Sequence, residues 1–142
     1  MLHEVRSQKF FMGRLNHGDD LLGALTQTCQ NLQIPLGQVQ AIGAVQKAVL
    51  GYYHQEQKIY HTIHLDKHLE IVQLTGNISL KGSIPFVHAH LTLSDASGCT
   101  YGGHLFPGTL IFACEIFIHA LQGPPFERAP DATTGLPLWR LP

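Results

Sequence analysis

The stretch Pro85-Phe86-Val87-His88-Ala89-His90-Leu91-Thr92-Leu93-Ser94 decides how this chain is read. It reads as a strand, and with Leu110–His119 it is the most apolar in the chain, which places both centrally in a sheet. Residues two apart on a strand lie on one face, about 6.5–7 Å apart at Cα. The imidazoles of His88 and His90 therefore point the same way. After the turn Asp95-Ala96-Ser97-Gly98, the segment Gly102-Gly103-His104 brings a third histidine on the next strand. Three converging nitrogen ligands make a transition-metal site with an open position, and zinc is its default occupant.

Parity tests this geometry. If Ser94 faced Cys99 across the turn, Ala89 would pair with His104 and the third ring would fall on the wrong face. A shift of one residue cures this by pairing His104 with His88 or His90. Gly102-Gly103 is the favoured place for such a bulge, because glycine tolerates the backbone it needs. An irregular turn at Ser97-Gly98 serves as well. The sequence thus predicts three rings on one face and a register irregularity between residues 94 and 104. The competing reading, half-buried histidines bonded to their neighbours, suits a lone histidine better than His-x-His followed by Gly-Gly-His.

Outward from this strand, the rest of the chain supplies the frame. Glu4–Leu15 reads as a strand, and Asn16-His17-Gly18-Asp19 as a turn whose Gly18 or Asp19 caps a helix. In that helix Leu21, Leu22, Leu25, Cys29 and Leu32 recur at three- and four-residue spacing up to Pro35. Strand-like runs come next at 39–48, 49–54, 59–65, 69–74 and 78–80. The tail from about Gln122 carries Pro124, Pro125, Pro130 and Pro137 and is expected to be irregular, with Leu136, Leu138, Trp139 and Leu141 packing it down. The fold class is α+β: one domain over residues 1–142, mainly antiparallel sheet, with one principal N-terminal helix. Phe10, Phe11, Phe112 and Phe117 are expected in the core.

A three-ligand site leaves a position for water, and a water activated there needs a proton acceptor. Glu70 and Glu115 are the candidate catalytic residues, with a salt bridge to Arg14 or Arg128 as the structural alternative. The other histidines read as surface or contact residues, His61 and His64 being a weak second candidate because a spacing of three puts them on opposite faces.

Only 13% of residues are charged, about half the usual share, and a surface so poor in charge suggests coverage by partner subunits. The net charge is -1 and no two basic residues are adjacent. A nucleic-acid partner is therefore not supported by charge. Tyr52-Tyr53 and Phe86 would stack bases only beside basic neighbours on an exposed face. Cys29, Cys99 and Cys114 are odd in number and lack Cys-x-x-Cys spacing, which fits idle thiols in a reducing compartment. With no apolar leader and no long apolar run, the expectation is a cytoplasmic protein without a membrane partner.

Gly13-Arg14-Leu15, Gly18-Asp19, Ala41-Ile42-Gly43-Ala44-Val45, Glu70-Ile71 and Gly76-Asn77-Ile78 occur in that order. His88-x-His90-x-Thr92-Leu93-Ser94, Gly102-Gly103-His104-Leu105, Pro107-Gly108, Glu115-Ile116 and Arg128 come after them. Together they resemble the PPC domain, conserved in plants and prokaryotes. The resemblance implies a compact α+β domain, a homotrimer, and a metal at the clustered histidines. In plants the domain is fused to AT-hook segments that bind DNA; this chain has no Arg-Gly-Arg-Pro core. Three functional readings are open. The leading one is a trimeric zinc-binding domain that binds a small anionic ligand or performs metal-assisted chemistry. The others are a DNA-binding regulatory protein, by family association, and a protein-assembly module.

Overall fold

Apolar–polar alternation forms most of the chain into strands, and one segment of helical spacing covers them. The computed structural model describes residues 2–140. Along the chain run β1 (Arg6–Leu15), α1 (Leu21–Asn31), β2 (Gly37–His54), β3 (Ile59–Leu65) and β4 (Leu69–Lys81). Then come β5 (Ile84–Ser94), β6 (Thr100–Leu105), β7 (Leu110–Gln122), β8 (Arg128–Pro130) and β9 (Pro137–Trp139). All pairings between these strands are antiparallel.

The helix forms because Leu21, Leu25 and Cys29 fall on one face, and all three are buried. Its cap is Asp20, one residue beyond the expected Gly18 or Asp19. Gly23 N donates to Asp20 Oδ1 at 2.8 Å, and Gly108 N donates to Asp20 Oδ2 at 2.6 Å. One carboxylate therefore satisfies a free helix amide and ties the helix to the loop before β7. The helix packs chiefly on β5, whose Val87, Ala89, Leu91 and Leu93 are buried. His88 and His90, between them, face the other way.

The main sheet has the order β1-β7-β2-β4-β5-β6. The long strand β2 sets this topology. Its first half lies between β7 and β4, and its second half pairs with β3 and, at Leu50↔Leu105 and Gly51↔His104, with β6. The contact with β6 closes a ring of β2, β4, β5 and β6, which draws β6 in beside β5. The runs 39–48 and 49–54 are therefore one strand, and so are 69–74 and 78–80.

Two further expectations are corrected. Phe10 and Phe112 are each 59% exposed and lie outside the core, as does half-buried Phe117, which packs against Phe10. Phe11, by contrast, packs against the core. The tail is not wholly irregular. β8 and β9 form a ribbon that ends at the pair Pro130↔Pro137, where prolines cost no ladder beyond them. Trp139 stacks on Phe126 at 4.3 Å, but Trp139 and Leu138 are 37% and 40% exposed, so these side chains do not pack the tail down as expected; Leu141 lies outside the described residues.

Candidate metal centre

His88 and His90 come from β5 and His104 from β6, with His90 directly opposite His104. Register is uniform from Ser94↔Thr100 to His90↔His104. The parity problem is thus solved in the turn, where residues 95–99 hold one more residue than a Ser94–Cys99 pairing would leave. No bulge occurs at Gly102-Gly103. Asp95 builds this turn: its Oδ1 accepts from Ser97 N, Ser97 Oγ and Cys99 N at 3.0, 2.6 and 3.1 Å. Its Oδ2 accepts from Lys67 Nζ at 2.7 Å and Tyr101 Oη at 3.0 Å. The Lys67 bond, first among these, holds the Asp95 carboxyl well below the usual range.

Gly103 has a steric task instead: a Cβ there would lie 2.8 Å from Gly51 O. Gly51 is more tightly confined, since its Cβ would meet the Phe106 ring at 2.2 Å. The bare backbone at Gly51 lets Phe106 lie against β2. His104 then rests against Phe106 and Tyr60, with ring centroids 4.9 and 5.1 Å away. These two aromatics wall in the third histidine.

The ligand nitrogens of His88, His90 and His104 all lie within 4.8 Å of one another, the only such group of three metal-type side chains among the described residues. His88 Nε2 and His104 Nδ1 are 3.2 Å apart. That separation suits a hydrogen bond with one ring as donor. It also suits zinc, whose nitrogen bonds of ~2.0–2.1 Å and tetrahedral angles set neighbouring ligands ~3.3 Å apart. His88 and His104 are half-buried and His90 is exposed. Burial first, then the neighbouring Arg128 and histidines, lowers His88 to about 4. His104 falls to about 4, through burial and then His90 and Arg128. Both rings are neutral at pH 7, the form that ligates metal.

Three residues around the cluster escaped sequence reasoning as site residues. Asn77 sits on β4 opposite His88, and Tyr60 projects from β3. Arg128 arrives from β8, its Nη2 donating to Asn77 Oδ1 at 2.8 Å and its Nε to Ser79 Oγ at 3.0 Å. Burial raises the pKa of Tyr60, so its hydroxyl stays protonated. No spacing rule connects Arg128 to the histidines; only the return of the tail over β4 brings it there.

The other sequence candidates lie elsewhere. Glu70 pairs with Ser94 and borders a hollow with His68, Asp95 and Phe112. Glu115, opposite Arg14 and Ile42, borders another with Met12, Gln40 and Phe117. Neither joins the histidine cluster, and neither forms an ion pair among the described residues. His61 and His64 are exposed on β3, His61 lying beside His54 with centroids 5.7 Å apart. Cys29 and Cys114 are buried, which raises them to about 12 and 11, while Cys99 is exposed.

Among solved structures, the chain superposes on a metal-containing protein from Archaeoglobus fulgidus with a TM-score of 0.94 and 43% identity, covering 99% of each chain. It superposes on a plant- and prokaryote-conserved (PPC) protein from Pyrococcus horikoshii with a TM-score of 0.92 and 34% identity, over 97% of this chain and 95% of that one. It is also 37% identical over 131 residues to the bifunctional protein GlmU of a Synechococcus strain, covering 91% of this chain but 20% of that protein. The chain thus spans about a fifth of the length of the curated relatives it matches. Residues 2–122 match the Plants and Prokaryotes Conserved (PCC) domain, and the chain belongs to this family.

Proposed function

We propose that the protein is a metal-binding PPC domain in which His88, His90 and His104 hold one zinc ion and leave a coordination position for a small ligand. The observation that carries this reading is the convergence of three imidazole nitrogens within 4.8 Å, two of them on rings that burial keeps neutral. The likeness to a metal-containing protein 43% identical to this chain supports it. When bound, the ion supplies a Lewis acid that holds an electron-rich atom of the ligand.

The protein's own residues favour binding over hydrolysis. Among the described residues no acidic side chain joins the cluster, and the polar side chains Asn77 and Arg128 beside it are suited to holding a ligand rather than to taking a proton. Tyr60 and Phe106 shield one side, and Asn77 and Arg128 place polar donors on another.

We further propose that the domain works as a trimer. Phe10, Met12, Ile42, Val72 and Phe112 are each more than half exposed, and an apolar surface of this kind marks a subunit contact.

Elemental analysis of protein purified without chelator tests the metal reading, beside a His88→Ala/His90→Ala variant. About one zinc per chain, lost in the variant while its circular dichroism is unchanged, is the expected result. A metal-free wild type that also fails to take up added zinc overturns it.

A further inference from the structure

Arg128 is a half-buried cation with no carboxylate in ion-pair contact among the described residues. Its neighbours are neutral: Ser79 Oγ, Asn77 Oδ1 and Pro137 O each accept one hydrogen bond from it, the last from Nη1 at 2.9 Å. Phe86 and Trp139 flank the guanidinium, with ring centroids 5.7 and 5.9 Å from Cζ. A guanidinium carries five N–H donors, so these three bonds leave two unused. Withdrawing a charge from water without an opposite charge is costly. It stands beside the histidine cluster, bonded through Nη2 to Asn77, the residue opposite His88. Fixed orientation, spare donors and an unneutralised charge beside a ligand cluster are the features of an oxyanion receptor.

We propose that Arg128 is the anion-binding residue of this site, and that the ligand is a small carboxylate or phosphate held between Arg128 and the three-histidine centre. Asn77 is the positioning residue. It accepts from Arg128 Nη2 and stands opposite His88 on the same face of the sheet, so it fixes the guanidinium relative to the first metal ligand. Tyr60, protonated and against His104, closes the other side. The inference rests on the metal reading for one end of the ligand only; the Arg128 end stands on its own contacts.

The test uses the whole chain, zinc-loaded and chelator-treated, with inorganic phosphate, malonate and uncharged malonamide as probes. Calorimetry gives affinities, and the 15N resonance of Arg128 Nε–H reports contact in the unmutated protein. Phosphate and malonate should bind saturably and move that resonance, and malonamide should not. Arg128→Gln should weaken anion binding about tenfold or more, as expected for a lost charge-assisted pair, with zinc content unchanged. Arg128→Lys, which keeps the charge and loses the fork, should fall between.

Because Arg128 also braces the tail, the wild-type resonance decides should a variant fold poorly. Anion binding that leaves the Arg128 resonance still, or equal affinity in a folded Arg128→Gln protein, overturns the proposal. So does the absence of any anion binding. If zinc fails to bind while Arg128 still responds to phosphate, the metal reading alone falls. If zinc binds at the histidines and Arg128 stays silent, this inference alone falls.

Discussion

His104 on β6 and Met12 on β1 stand at opposite ends of one row of paired residues across the sheet. The row runs Met12, Phe117, Gln40, Thr75, His90, His104, one residue from each of six strands. Paired residues share a face, so the histidines and the exposed apolar side chains of β1 and β7 lie on the same side. A parallel row joins Phe10, His119, Gln38, Asn77 and His88. The candidate metal centre and the apolar surface are two ends of a single face.

That continuity sets the expectation for assembly. Met12 is 82% exposed, so Met12→Glu should leave the isolated fold intact while placing a charge in the proposed subunit contact. Sedimentation should show the wild type as a trimer of its 15.7 kDa chain and the variant shifted toward monomer. A wild type that sediments as a monomer at micromolar concentration would remove the assembly proposal.

Gly51 gives a second expectation. A methyl group there must displace Phe106, and Tyr60 lies 3.0 Å from the same point; both rings wall in His104. Gly51→Ala should cost about 1–3 kcal/mol, the usual range for overpacking, and should weaken zinc binding although no ligand is altered. Chemical denaturation with a zinc-competition assay checks both. Unchanged values would mean that Phe106 moves aside freely and does not hold His104.

Asp95 contributes to the acid side of the pH dependence of stability, beside Asp131, His88 and His104. Lys67 and the turn donors hold its folded carboxyl below the usual carboxylate range, so the folded state binds the proton less readily than the unfolded chain. The stabilisation is present above the unfolded value near pH ~3.9 and is lost as pH falls toward the folded one. Lys67 is raised above its usual range, so its share is present below pH ~10.4 and is lost as pH rises through the folded value. Asp95→Asn should flatten the acid limb of the melting-temperature profile while its Oδ1 still organises the turn. Asp95→Ala should also disturb the β5–β6 register and weaken zinc binding. An identical acid limb in wild type and Asp95→Asn would contradict the assignment.

The three histidines were legible because their signal is local: a period of two on one strand, then a glycine pair before the third. The need for an irregularity between residues 94 and 104 was legible too, from parity alone. Its location was open, because spacing cannot tell a longer turn from a bulge; the bonds from Ser97 and Cys99 to Asp95 settle it in the turn. The helix was readable from Leu21, Leu25 and Cys29, whereas its cap was off by one because Asp19 and Asp20 are adjacent and equally able to accept.

The features that stayed hidden depend on contacts distant in sequence. Nothing local says that β2 changes partners at Ala48 or that β6 comes to lie beside Gly51. Phe10 and Phe11 are neighbours that must face opposite ways, and composition alone cannot say which is inside. Glu70 and Glu115 resembled acid–base candidates because they sit on apolar strands, but register sets Glu70 opposite Ser94 at the far end of β5, and strand order puts Glu115 on β7, away from the histidines. Arg128 was named as a partner for those glutamates and as part of the family pattern, not as a neighbour of the histidines, since its approach requires the proline-rich tail to fold back.

That tail is attached differently from the rest. The family match covers residues 2–122, whereas Arg128 belongs to the ribbon beyond it, paired with the main sheet through the Leu80–Glu127 bridge, in which Leu80 N donates to Phe126 O at 2.8 Å. Otherwise the ribbon is held by side-chain bonds from Arg128 to Asn77 and Ser79 and from Tyr53 and Lys58 to the tail backbone. The histidine centre is built into the closed ring of strands, its three ligands fixed by the pairing of β5 with β6. The charge beside it sits on an appendage. Grafting residues 123–140 of one relative onto another should therefore transfer ligand preference while metal affinity stays with the recipient, so that a common scaffold acquires new tastes through its last strands alone.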